Sequence, residues 1–131
     1  MANQNTLSVR MWACSRLIDD PGLLESIKAQ VYASRSALNN ELRSFEMAVS
    51  DATMAISVYP NSNWALNNRA WALFKLGRAS EGLADVEKAL KLAPANFHAH
   101  DTLAHIHQAM GKSIEAAKAY IAAAENGGSL S

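Results

Sequence analysis

The chain has 131 residues, of which 50% are apolar and 18% charged, enough for one domain with a real core and too apolar for intrinsic disorder. Twelve basic residues balance twelve acidic ones, so no net field attracts nucleic acid or an anionic membrane. The single cysteine, Cys14, excludes a disulfide framework and argues against a cysteine zinc site. No apolar run reaches the length of a membrane span, and Met1 to Thr6 lacks the basic and apolar stretches of a signal peptide, so a soluble cytoplasmic protein is expected.

Apolar residues recurring at three and four predict helices and no strands. The first is expected at about 6–18, with Val9, Met11, Trp12 and Leu17. Asp19-Asp20 before Pro21 reads as a capping carboxylate and a first-turn proline, which starts a second helix at about 21–40. A third follows at about 44–58, closed by Pro60. The fourth, about 63–76, carries Ala65, Leu66, Arg69, Ala70, Leu73 and Leu76, and its partner at about 79–92 carries Leu83, Val86, Ala89, Leu90 and Leu92. Beyond Pro94 come helices at about 97–110 and 113–125. Gly77 and Gly111 lie mid-way between prolines, where a helix must stop and reverse.

These elements repeat. Ala65, Ala70, Gly77, Glu81 and Ala89 recur 34 residues on as Ala99, Ala104, Gly111, Glu115 and Ala123. One step back, Arg35, Asp51, Ala55 and Pro60 recur as Arg69, Asp85, Ala89 and Pro94. A fixed period of this size marks a solenoid, in which each unit buries its apolar face by stacking on the next. The recurring alanines stand where two helix backbones approach closely, and larger side chains there would overpack the hairpin by roughly 1–3 kcal/mol.

The pattern from Asn63-Trp64-Ala65-Leu66 through Ala70, Leu73, Gly77, Val86, Ala89 and Pro94 resembles the tetratricopeptide repeat, as does Phe97 to Ala124 with Ala104, Gly111, Ala116, Tyr120 and Ala123. Residues 29–62 look like a degenerate copy, with Ser36 where a small apolar residue is usual and Arg43 where glycine is usual. Residues 7–18 resemble the second helix of a preceding half repeat, and the linker after them is longer than the family norm. The resemblance implies an all-α, right-handed superhelical solenoid of antiparallel helix pairs, about seven helices in all. It divides a single domain, 1–131, into a half repeat and linker (7–28) and repeats at 29–62, 63–96 and 97–130.

The resemblance also implies that the first helix of each repeat lines a concave face. In the middle repeat, the face away from Leu66, Ala70 and Leu73 carries Trp64, Asn67, Asn68, Trp71, Phe74 and Lys75, and three aromatics on a solvent-facing stripe are too many for stacking alone to occupy. Aromatic anchors beside amides, which offer donors and an acceptor to an extended backbone, suit a groove for a peptide or partner protein. His98, Asp101, Thr102 and His105 continue that face into the next repeat. Co-chaperone members of the family grip a C-terminal carboxylate with two asparagines and three basic residues. Asn68 matches the central asparagine, but His98 and Thr102, and Ala33 and Ala37, stand at the other clamp positions. No lysine or arginine fork awaits a carboxylate, so chaperone-tail binding is not expected. Nor do Lys75 and Arg69 make a basic groove for RNA.

All four histidines, His98, His100, His105 and His107, fall in one predicted helix. The two HxH pairs splay by about 200° and cannot both chelate from a regular helix. Only His98 with Asp101, and Asp101 with His105, stand at three- or four-residue spacing. No metal or other cofactor is expected. His100 and His107 read as half-buried spacers, and groove binding is expected to vary over the range in which histidines titrate. No nucleophile elbow, phosphate loop, carboxylate pair or metalloprotease motif is present, so an enzyme is not expected. Cys14 reads as a small buried hydrophobe.

Solenoid ends need polar caps. The last hairpin, with Ala117, Tyr120, Ile121 and Ala124, runs to Asn126-Gly127-Gly128, and the first helix has Val9, Trp12 and Leu17. Either flank is a candidate homodimer surface, so self-assembly is the alternative to groove binding.

Overall fold

In the computed structural model, residues 3–127 are described. The expected end of the last repeat, 128–130, lies outside them. Seven helices follow one another: α1 (Gln4–Ile18), α2 (Glu25–Glu41), α3 (Phe45–Val58), α4 (Asn63–Lys75), α5 (Ala79–Leu92), α6 (Phe97–Ala109) and α7 (Ser113–Glu125). No strand occurs among the described residues.

Only the start of α2 departs clearly from expectation. Asp20 does cap a backbone N–H, but its Oδ1 accepts from Gly22 at 2.9 Å and closes a local turn around Pro21. Glycine disfavours helix and the aspartate turn competes with it, so α2 starts at Glu25, after Leu24 in extended geometry. Pro60 and Pro94 sit in the turns before α4 and α6. Two residues after each proline stands a polar cap: the Ser62 hydroxyl accepts from the Ala65 N–H at 3.3 Å, and Asn96 Oδ1 accepts from the His98 N–H at 3.1 Å.

The three hairpins reverse by one device. Arg43, Gly77 and Gly111 all take left-handed backbone angles, with φ of 62°, 77° and 76°. The following N–H groups, of Ser44, Arg78 and Lys112, donate back to Asn39, Leu73 and His107 carbonyls, each at 2.8 Å. This is the closing bond of a left-handed helix stop, for which glycine is the unstrained residue. Arg43 adopts the same geometry with a side chain, at a cost of roughly 1–2 kcal/mol.

Helices α2 and α3, α4 and α5, and α6 and α7 pack as hairpins, and α3 on α4 and α5 on α6 join them. Helices α2, α4 and α6 also touch in succession, whereas α3, α5 and α7 do not. The stack therefore curls with α2, α4 and α6 on the inside. Helix α1 packs on α2 alone, as a second helix packs on the first helix of the next pair. The centre of the core is Leu66, Ala70, Val86, Ala89, Ala99 and Ile106, and the buried side chains of Leu66, Val86 and Ile106 each contribute roughly 1.5–3 kcal/mol.

Close approach is confined to the small positions. Ala48, Ala70, Ala89, Ala99 and Ala104 are fully buried. At Gly82, in register with Ala48 and Ala116, a Cβ would stand 2.8 Å from the Ala70 carbonyl oxygen and 3.2 Å from its Cα. The middle hairpin is thus the tightest. In the first hairpin Ser36 replaces the usual small apolar residue, and its hydroxyl donates to the Ala48 carbonyl at 2.8 Å.

Two of the repeated residues form cross-links. Arg35 donates from Nε and Nη2 to both oxygens of Asp51 at 2.8 Å, and from Nη1 to the Ser15 hydroxyl at 3.1 Å. Arg69 likewise grips Asp85 at 2.7 and 2.8 Å and reaches the Thr53 hydroxyl at 3.3 Å. Each arginine ties its own helix to the partner helix and to the helix before it. Bidentate geometry makes these the strong kind of ion pair, and the hydrogen bond to the aspartate raises the pKa of each arginine further. Arg69 is therefore part of the scaffold and is no groove cation.

Candidate functional site

The inner row α2, α4, α6 makes a groove whose widest part, about 570 Å³, has a floor of Ala29, Ala33 and Ala37 from α2. Residues four apart lie on one helix face, so these three alanines form a shallow track. Trp64 and Tyr59 wall one side, with Trp64 55% exposed and 5.9 Å from the His98 ring. A smaller cleft of about 210 Å³ continues from it, lined by Asn40, Trp71, Asp101 and Thr102. Ala37, Asn67, Asn68 and His98 line both.

Seven of the ten expected groove residues, Trp64, Asn67, Asn68, Trp71, His98, Asp101 and Thr102, line these clefts. Phe74, Lys75 and His105 do not. The ring of His105 sits 5.2 Å from Trp71, 5.6 Å from Phe74 and 5.5 Å from Tyr120. It gathers three aromatics edge-on, an arrangement favoured by the ring quadrupoles. Lys75 lies with Nζ 5.1 Å from the Trp71 ring and 5.8 Å from Phe74, held by cation–π attraction. His105, projecting from the next repeat, packs on Phe74 and Trp71, and of the three aromatics Trp64 alone stays largely exposed.

The amides also differ from expectation. Asn68 is half-buried and its Nδ2 donates to the Ala33 carbonyl at 3.2 Å. Asn40 Nδ2 donates in turn to the Asn68 carbonyl at 3.0 Å. The pair staples α2 to α4. Asn67 is not solvent-facing, being only 7% exposed, and its Oδ1 is buried with no hydrogen-bond partner, as is Asn40 Oδ1. A buried acceptor left unpaired costs about 1–3 kcal/mol. Thr102 is buried too, its hydroxyl donating back to the His98 carbonyl at 3.0 Å.

The histidines divide as their neighbours dictate. His100 is half-buried and joined to the Pro94 carbonyl at 2.7 Å through Nε2, and half-buried His107 has a buried Nδ1 without a partner. His105 Nδ1 is 2.8 Å from the Asp101 backbone oxygen and 3.7 Å from Oδ2 of the same residue. Since a carbonyl only accepts, that nitrogen carries a proton. Burial and the Asp101 charge raise the Tyr120 pKa. Among the described residues no three His, Cys, Asp or Glu side chains converge on a point that could hold a metal ion. Cys14 is half-buried on α1, and burial raises its thiol pKa. No helix among the described residues is long and apolar enough to cross a membrane.

Sequence reasoning missed the α2 side of the groove. Gln30, Ser34, Glu41 and the turn residue Tyr59 all line the large cleft. The four-residue spacing of Ala29, Ala33, Ala37 and Glu41 was the available signal.

The model of the family described as "Tetratricopeptide repeat" matches residues 64–96. The chain is a tetratricopeptide repeat protein. Sperm-associated antigen 1 of Rattus norvegicus is 37% identical over 102 residues, covering 76% of this chain and 11% of that protein. Protein unc-45 homolog B of Mus musculus is 29% identical over 99 residues, covering 76% and 10%. The Hsp70-Hsp90 organizing protein of Triticum aestivum is 34% identical over 76 residues, covering 58% and 13%. The chain thus spans about a tenth of these relatives' length. Among solved structures, MamA MSR-1 C2 superposes with a TM-score of 0.71 at 20% identity, covering 92% of this chain and 67% of that one. MamA RS-1 ArsTM double mutant gives 0.76 at 15%, covering 93% and 68%. At such identities these structures carry the fold alone.

Proposed function

We propose that this tetratricopeptide repeat protein is a non-catalytic scaffold that holds an extended segment of a partner protein in the groove of α2, α4 and α6. One observation carries the reading: a cleft of about 570 Å³, floored by Ala29, Ala33 and Ala37, opens on the inner row and runs on into a second cleft, with Asn67 at the junction of the two. Trp64 adds the bare aromatic anchor, and Asn68 holds the floor and takes no direct part. Neither cleft is lined by lysine or arginine, so the ligand is not gripped by a terminal carboxylate. Panning a displayed library of ~12-residue peptides on the wild-type protein tests this. Selected sequences are expected to lose binding to Asn67→Leu and Trp64→Ala while helix content is unchanged. Equal binding to all three proteins would refute the groove.

Self-association is the second reading, favoured by Ile114 and Ile121 on α7, at 70% and 55% exposed, and by Val9 and Trp12 on α1. Tyr120 leaves that surface, because it packs on His105 and its hydroxyl donates to Gln108. Ile121→Ser would change the sedimentation coefficient under this reading, and the two groove substitutions would not.

A further inference from the structure

The charges on the groove walls point to the chemistry of the occupant. Glu41 and Asp101 are the only carboxylates lining the two clefts, and no lysine or arginine accompanies them. Asp101 keeps 47% of its side chain exposed. Three titratable groups face it. His105 stands 3.7 Å away on the same helix, Tyr120 faces it from α7, and His98 shares its cleft. None of these is a fixed cation. The nearest lysine of the inner row, Lys75, is drawn over Trp71 and Phe74. In the larger cleft an alanine floor bordered by Trp64 and Tyr59 leaves room for a bulky apolar side chain.

Resting on the groove reading above, we propose that the bound segment pairs a bulky apolar side chain with a nearby lysine or arginine. The apolar side chain fills the space over Ala29, Ala33 and Ala37, where small side chains leave room and Trp64 supplies contact area. The cation reaches Asp101, whose half-exposed carboxylate lines the smaller cleft with no lysine or arginine beside it. The acidic lining makes this groove the electrostatic opposite of one that grips a free carboxylate, since an acidic segment would meet two like charges there.

The test uses four sets of ~12-residue fluorescent peptides of otherwise Gly/Ser composition, measured by anisotropy. One set pairs leucine or phenylalanine with lysine or arginine, one with glutamate and one with neither charge, and one carries lysine without the apolar residue. The apolar-basic set is expected to bind about tenfold tighter than the apolar-acidic set at moderate salt, and Asp101→Lys is expected to reverse that order. Asp101 is half-exposed, so this substitution leaves the fold intact, which circular dichroism verifies. Asn67→Leu, at the junction of the two clefts, is expected to weaken every set, and Trp64→Ala chiefly the three sets that carry the apolar residue. Equal binding of basic and acidic sets that both groove variants abolish would overturn the proposed ligand chemistry and leave the groove standing. Binding that survives both groove variants would overturn the groove itself. Failure of the apolar-basic set to bind the wild-type protein would overturn the proposal outright.

Discussion

The first two hairpins and the last one solve the same packing problem with different chemistry. In α2–α3 and α4–α5 an arginine on the inner helix grips an aspartate on the outer one, Arg35 with Asp51 and Arg69 with Asp85. In α6–α7 the positions in register are Leu103 and Ala119, one half-buried and the other buried. The last hairpin relies instead on apolar packing and on Tyr120 docked against His105. A polar lock and an apolar contact are therefore interchangeable at this place. That interchangeability is expected when the desolvation of an ion pair nearly offsets its Coulomb attraction. The distinctive feature of the arginine is reach, since it also holds a hydroxyl on the preceding helix, Ser15 or Thr53.

The comparison can be broken most strongly at Asp51. It is buried, accepts both Arg35 bonds and also takes one from Asn39 Nδ2 at 2.9 Å. Asp51→Ala strands these donors and is expected to cost about 3 kcal/mol in urea unfolding. The double change Arg69→Leu with Asp85→Ala converts the middle hairpin to the chemistry of the last. It is expected to cost less than Asp85→Ala alone, because no charge is left buried without its partner. A double variant less stable than the single would show that the two chemistries are not interchangeable. A smaller loss is expected at Gly82→Ala, where the last hairpin tolerates Ala116 but the middle one is closer. The new Cβ meets backbone, the Ala70 carbonyl oxygen at 2.8 Å, and the melting temperature should fall by an amount equivalent to roughly 1–3 kcal/mol. The smallest effect has the opposite sign. Arg43→Gly gives the first hairpin the stop used by Gly77 and Gly111, and should raise stability by about 0.5–1 kcal/mol. The gain is limited because the Arg43 guanidinium, 5.5 Å from the Phe45 ring, gives up its cation–π contact.

Much of the scaffold was legible in the sequence because it rests on local rules. The prolines, the reversing glycines and the three-four apolar spacing located the helices, and α2 alone began late, where an aspartate turn outcompeted a helix start. Arg43 shows the limit of residue identity. Its anomaly against glycine was plain in the repeat register, but only the backbone revealed that the chain keeps the left-handed turn and bears the strain. The candidate groove was legible in outline and misjudged in its polar members. Asn68 looked like a free amide, and Asn67 looked solvated.

The sequence by itself determined the period, the helices and the small positions where backbones approach, and its resemblance to the family implied the face on which the groove lies. Periodicity and turn chemistry act within a few residues, so they can be read along the chain. Only the tertiary structure decided which polar groups the scaffold consumes and which it leaves unpaired. Arg69 went to Asp85, Asn68 to Ala33 and Phe74 to His105, across 16, 35 and 31 residues of chain. Asn67 Oδ1 remained buried without a partner. Those outcomes depend on how closely neighbouring repeats stack, a distance set by the whole core and by no single stretch of sequence.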